Sequence, residues 1–211
     1  MENKLQILRP FGPPVIKATI PKELVDTLNN YTDETIKQKE KALILDAGKD
    51  LAGNVTQEFK IDEDFARKSG WINFLSTIAA KSIEALKNKK ITKFNLTSTW
   101  VVRQYQYEYN PLHSHSGHLS GVGYLKVPST LGKTIQNKPE RRNKNGQLTL
   151  VHGSKQFLNE SIFGVTPKIG DFYIFPSYLL HSVNPFYESS EERRSISFNA
   201  IIDEGIFGDI S

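Results

Sequence analysis

The sequence predicts a mainly β fold, a sandwich or barrel, supported by helices from its amino-terminal third. Two textures predict it. From about Thr92 onward, short β-branched and aromatic runs alternate with Pro, Gly and Asn, as in chains that fold into many short strands. Before that point, two segments carry apolar residues at the 3.6-residue period of a helix. The length of 211 residues suits one domain at roughly 100–200 residues each.

The first helix is signalled by Ile20-Pro21-Lys22-Glu23-Leu24. Proline fits a first helical turn, and Leu24, Val25 and Leu28 follow on one side. It fades near Lys37–Lys41. In the second, Trp71, Phe74, Leu75, Ile78, Ala79, Ser82, Ile83 and Leu86 recur at spacings of three and four and mark one continuous face. The charge run Lys87–Lys90 closes it. Strands follow near 93–109, 118–127, 147–151, 171–175 and 193–202. Between the second and third of these, Ser129–Gly146 carries Lys133, Lys138, Arg141, Arg142 and Lys144 against one acid, Glu140. It reads as a long polar loop, either a solvated connection or a lid for an anionic group. With no repeat and no linker, the sequence predicts a single domain over 1–211, residues 1–91 being mostly helical support and 92–211 the β core.

Composition narrows the chemistry. Apolar residues at 38% and charged residues at 24% fit a globular chain. A formal charge of +4 is too small to signal a nucleic-acid binder unaided. With no cysteine, thiolate metal sites and thiol nucleophiles are excluded, so any metal must be held by His, Asp, Glu or backbone oxygen. No stretch has the length and apolarity of a signal peptide or a membrane span, and the expectation is a soluble, cytoplasmic protein.

Three of the five histidines, His113, His115 and His118, fall within six residues. His113 and His115, two apart on an extended chain, share a side and form a natural metal claw. Such a pair needs a further ligand. It is offered by His181, on a loop that follows a strand ending at Pro176. Beyond it, Arg193-Arg194-Ser195-Ile196-Ser197-Phe198-Asn199 places Arg193, Ser195, Ser197 and Asn199 on one strand face. A guanidinium with a hydroxyl two residues on is suited to gripping a carboxylate.

Over roughly Trp100 to Ile202 these motifs resemble the 2-oxoglutarate and Fe(II) dependent oxygenases, in particular the small bacterial and phage-encoded branch related to prolyl hydroxylases. The resemblance rests on His113-Ser114-His115 with Leu119-Ser120-Gly121-Val122 after it, on Phe175-Pro176-Ser177 leading to His181, and on Arg193-x-Ser195-x-Ser197-Phe198-Asn199. It implies a double-stranded β-helix, the jelly-roll or cupin-like barrel, with the helices packed on one sheet. It implies Fe(II) on His113, His115 and His181, and 2-oxoglutarate held by Arg193 and Ser195, with Tyr105 of the alternating Tyr105, Tyr107 and Tyr109 as a further contact. The implied activity consumes O2 and 2-oxoglutarate, releases succinate and CO2, and hydroxylates an unactivated C–H bond, with a peptide or protein as the first substrate to consider and a nucleic acid as a weaker one.

One departure stands out. Where the family carries an acid, this chain has His115, and no acidic residue lies between Asn110 and Gly132 to replace it. His118 competes with His115 as ligand, and the metal's identity and reactivity stay open. Two other readings follow from the residues: a three-histidine, cupin-type metalloenzyme without 2-oxoglutarate, and a non-enzymatic basic binding or virion-associated module.

Overall fold

The computed structural model describes residues 5–8, 12–133, 139 and 143–206. Two antiparallel sheets form a double-stranded β-helix. The larger has seven strands: β1 (Gln6–Leu8), β2 (Val15–Thr19), β3 (Gln57–Lys60), β4 (Phe94–Gln104), β6 (Leu119–Lys126), β9 (Asp171–Pro176) and β11 (Arg193–Ile202), in the spatial order β1-β2-β9-β6-β11-β4-β3. The smaller has four, β5 (Asn110–His113), β7 (Leu148–Val151), β8 (Ile162–Val165) and β10 (Leu180–Val183), in the order β5-β10-β7-β8.

Helices α1 (Lys22–Lys37) and α4 (Trp71–Lys87) cover the outer face of the large sheet, with the short α2 (Lys39–Ile44) and α3 (Glu63–Lys68) beside them. The periodic face read from the sequence is the buried one: Trp71, Phe74, Leu75, Ile78, Ala79, Ser82 and Ile83 all point inward. Helix α4 stops at Asn88, whose φ of 54° is left-handed, a conformation that asparagine tolerates and a following helical turn does not. Leu75 is fully buried, so its truncation to Ala costs about 2–5 kcal/mol.

The large sheet is buried on both faces, and β6 shows how. Its outward positions 121 and 123 are glycines. A Cβ on Gly121 would lie 2.5 Å from the Phe198 ring, and one on Gly123 would lie 2.7 Å from the Phe172 ring. Those aromatic rings therefore fill the space where side chains would otherwise stand, against Trp71 and Phe74 of α4. The inward positions Val122 and Tyr124 join Leu148, Leu150, Tyr173 and Phe175 in a second core between the sheets.

Several details differ from the sequence reading. The amino-terminal third contributes β1, β2 and β3 to the large sheet as well as helices. The strand drawn over 93–109 ends at Gln104, because the chain turns through Tyr107 at a φ of 71°. His181 lies on β10 rather than in a loop. The described flanks of the basic loop are pinned: Asn145 donates to the Leu131 and Gly132 carbonyls, and the Ser129 amide donates to Glu191. Lys138, Glu140, Arg141 and Arg142 lie outside the described residues. Among those described, no helix is long and apolar enough to cross a membrane.

Candidate active site

The small sheet carries the histidines. β10 pairs with β5 so that His181 stands directly across from His113, and a register shift further along brings Asn110 opposite Val183. This bulge puts Asn110 and His113, three residues apart, into the lining of one cavity between the sheets. His115 follows just beyond β5, its backbone amide donating to the Ser177 carbonyl at 2.9 Å. Between them His113, His115 and His181 offer three ligand nitrogens within 4.8 Å of one another.

Two of the rings are oriented by carbonyls. His113 Nδ1 lies 2.7 Å from the Pro111 oxygen and His181 Nδ1 lies 2.8 Å from the Leu179 oxygen. A carbonyl only accepts, so each Nδ1 carries the proton and each Nε2 keeps its lone pair for a ligand. Trp100 packs edge-on to His115 and Phe175 to His181. Burial lowers the pKa of His181 to about 3 and, with His113 nearby, that of His115 to about 4. His115 and His181 are therefore neutral at physiological pH, the state in which imidazole binds a divalent metal.

His118 is set apart from this group. Its Nδ1 accepts from the Ile202 amide at 3.1 Å, and with His152 it lines a separate, largely apolar cavity of about 680 Å³ beside α4. Among the described residues, the trio that could hold a metal contains His115 and not His118.

Arg193, Ser195 and Ser197 of β11 line the same cavity as the histidines. Arg193 is 1% exposed and stands across β4 from Gln104, whose Oε1 accepts from Nη1 at 3.0 Å. Gln104 is itself fixed, since its amide donates to the carbonyls of Glu108 and Asn184. The guanidinium lies 5.1 Å from the centre of the Tyr124 ring. Its Nε and Nη2 have no hydrogen-bond partner, and neither has the buried Tyr124 hydroxyl. Burial lowers the pKa of Arg193 and pushes that of Tyr124 up to about 12.

Tyr105 stands elsewhere. It lies in the turn after β4, and its hydroxyl accepts from Arg103 at 2.6 Å, in a network that continues to Glu192 and Gln57. Tyr107 and Tyr109 are largely exposed. Tyr124, beside Arg193, lies on the inward face that strand alternation from Ser120 through Val122 marks. Gln104, Asn110 and the buried Glu58 carried no comparable sequence signal.

Comparisons with known proteins bear on the fold and on the segment that carries the histidines. Residues 98–199 match the family model described as "Putative 2OG-Fe(II) oxygenase". No curated protein matches the chain in sequence. Among solved structures, a prolyl-4-hydroxylase of Pseudomonas putida is similar at a TM-score of 0.56 with 14% identity, over 88% of this chain and 91% of that one. A prolyl hydroxylase of Trichoplax adhaerens, in complex with a hypoxia inducible factor peptide fragment, is similar at 0.53 with 14% identity, over 98% and 87%. HygX of Streptomyces hygroscopicus, with nickel, 2-oxoglutarate and hygromycin B bound, is similar at 0.55 with 14% identity, over 89% and 81%. The structural likeness is one of fold, and the family match spans the segment that holds all three histidines, Arg193 and Ser195. Over that segment, a little under half of the chain, the protein is similar to the 2-oxoglutarate and Fe(II) dependent oxygenases.

Proposed function

We propose that this chain hydroxylates an unactivated C–H bond, with Fe(II) held by His113, His115 and His181 and the distal carboxylate of 2-oxoglutarate held by Arg193, Ser195 and Tyr124. Arg193 carries the reading. A buried guanidinium with two unpartnered N–H groups and no carboxylate partner is costly, and an anionic ligand that accepts from it removes the cost. The neighbouring Tyr124 hydroxyl is orphaned in the same way and serves the same ligand.

The histidines fit the metal. Three imidazoles, two of them with Nδ1 committed to a carbonyl, suit a divalent ion of intermediate softness such as Fe(II). Because His115 adds no negative charge, a bound divalent metal would be one charge more positive than with a carboxylate ligand; the metal-side carboxylate of 2-oxoglutarate would offset one charge, while its distal carboxylate meets Arg193. When bound, Fe(II) and 2-oxoglutarate supply the O2-derived oxidant for hydroxylation, with succinate and CO2 as co-products. The chain's part is to orient: Gln104 fixes the guanidinium, Pro111 and Leu179 fix two imidazoles, and the apolar core between the sheets limits access of water. A peptide substrate is supported by the prolyl hydroxylase fold and by the peptide seated on one such neighbour.

Anaerobic reconstitution tests the assignment. A visible charge-transfer band is expected only when Fe(II) and 2-oxoglutarate are both present, with loss in Arg193→Ala and loss of metal in His181→Ala. One tightly bound metal ion without the band in the wild type means a three-histidine metalloenzyme that does not use 2-oxoglutarate. No stoichiometric metal means a binding module.

A further inference from the structure

The described residues hold a second set of orphaned polar atoms, opposite in character to the first. Glu58 Oε1, Glu58 Oε2 and Asn110 Oδ1 are buried, and none has a hydrogen-bond partner. Asn110 Oδ1 is an acceptor, and both Glu58 oxygens are acceptors once the carboxyl is ionised. They lie where the outer edge of the large sheet, β3, meets the outer edge of the small sheet, β5. The backbone pair between Asn54 and Tyr109 closes the seam beside them.

Register places the group relative to the rest of the site. Glu58 pairs with Val102, Val102 with Ser195, and Ser195 with Tyr124, so these four share one inward face in a row across β3, β4, β11 and β6. At about 4.8 Å per strand, Glu58 stands roughly 10–15 Å from the Ser195 and Tyr124 end. That is too far for a small dicarboxylate to be held by both ends as well as by the metal. Asn110 and Val102 line the histidine cavity.

The local packing orients Asn110. A Cβ on Gly53 would lie 2.8 Å from Glu58 Oε1 and 2.9 Å from Asn110 Nδ2, so the 51–56 loop covers the pair closely only because position 53 has no side chain. The Asn110 amide nitrogen thus lies toward Glu58 and Gly53, and Oδ1 is left as the acceptor. Glu58 is 2% exposed and forms no ion pair among the described residues. Burial raises its pKa to about 7, against a smaller opposite pull from the Asn110 amide, which approaches the carboxyl without reaching hydrogen-bond geometry, and the nearby charge of Asp46 raises it further. A cation brought near would reverse that penalty.

We propose that Asn110 is a specificity-determining residue that accepts a hydrogen bond from a positively charged nitrogen of the substrate, an ammonium or a guanidinium, with Glu58 behind it as the positioning residue and source of negative field. This rests on the oxygenase reading of the same cavity, and it narrows the substrate to one bearing a basic group several ångströms from the carbon that reacts.

The test uses butylammonium and butylguanidinium as probes, with butyl methyl ether as a donor-free neutral control. Their affinities are measured by saturation-transfer NMR on Zn(II)-loaded protein with 2-oxoglutarate, beside the charge-transfer band of the Fe(II) form. The cations are expected to bind at least about tenfold more tightly than the ether, as a charge-assisted hydrogen bond provides. Glu58→Gln, nearly isosteric, should remove most of that preference, and Asn110→Leu should abolish it, with the band intact in both. Equal binding of cations and ether in the wild type, or a preference that survives Glu58→Gln, overturns the proposal. A missing band with the preference retained overturns the cosubstrate assignment alone.

Discussion

Arg193 and Arg194 are consecutive, almost equally inaccessible and opposite in circumstance. Arg194 faces the helices, where Glu192 accepts at 2.6 Å, Asp33 at 2.6 Å and the Asn29 side chain at 3.0 Å. Burial alone would lower its pKa, but those carboxylates outweigh burial and leave it raised. Arg193 faces the space between the sheets with one amide partner, two unpartnered N–H groups and a lowered pKa. One strand thus carries a finished polar network on one face and an unfinished one on the other. Burial and charge are the same for both residues, so only the completeness of partnering separates a group that builds the fold from one proposed to meet a ligand.

The largest effect should fall on the finished face. Arg194→Ala removes the cation that Glu192, Asp33 and the Asn29 oxygens share, while Glu192 keeps Arg103 and the half-exposed Asp33 keeps Lys126, so chemical denaturation should show a loss of about 2–4 kcal/mol from the several charge-assisted bonds broken. Arg193→Met, by contrast, removes a buried charge with no carboxylate partner, and its folding stability should change by less than about 1 kcal/mol. Its effect should appear in the 2-oxoglutarate requirement, where losing charge-assisted bonds to a carboxylate raises KM by about a hundredfold. Equal stability losses in the two variants would erase the distinction between the faces.

The contrast also explains what could be read from the sequence. Alternation along β11 and the helical period of α4 are local patterns, so the buried faces of both elements were legible. The histidine trio was legible because residue type narrows the chemistry before geometry does. Strands β3, β5, β8 and β10 were missed, since each is held by partners distant in the chain, whereas β7, equally short, showed itself through the largely apolar run Leu148-Thr149-Leu150-Val151. Tyr105 was selected because alternation was carried through Tyr107, where the backbone turns. Glu58, in Gln57-Glu58-Phe59-Lys60, looks like an ordinary exposed acid, and only the closing of the seam by β5 buries it.

Glu58 gives a second, smaller contrast, because an unfinished acceptor makes stability depend on pH. With its pKa raised from 4.5 to about 7, the folded chain keeps between those values a proton that the unfolded chain has released. Stability therefore falls as pH rises through that window. His115 and His181 act oppositely: their depressed pKa values make stability fall as pH drops below about 6.5. Comparing wild type with Glu58→Gln across pH isolates the carboxyl. The variant should be more stable by about 1–3 kcal/mol at pH 8 and should lose that advantage by pH 4. A difference independent of pH would mean that the carboxyl is not held protonated by burial.

The smallest effect tests how Arg193 is aimed. Gln104 donates to the carbonyls of Glu108 at 2.6 Å and Asn184 at 3.3 Å, so its amide cannot flip, and Oε1 must face the guanidinium. Gln104→Leu keeps the volume and removes that acceptor, leaving Arg193 charged and buried but free to rotate about its long side chain. Gln104 acts through Arg193 as a positioning residue, so the KM for 2-oxoglutarate should rise about tenfold while kcat at saturating cosubstrate stays within about twofold. In the Arg193→Met background the same substitution should add almost nothing, because two residues acting through one bond are not additive. A full tenfold penalty in that background would show that Gln104 touches the cosubstrate itself.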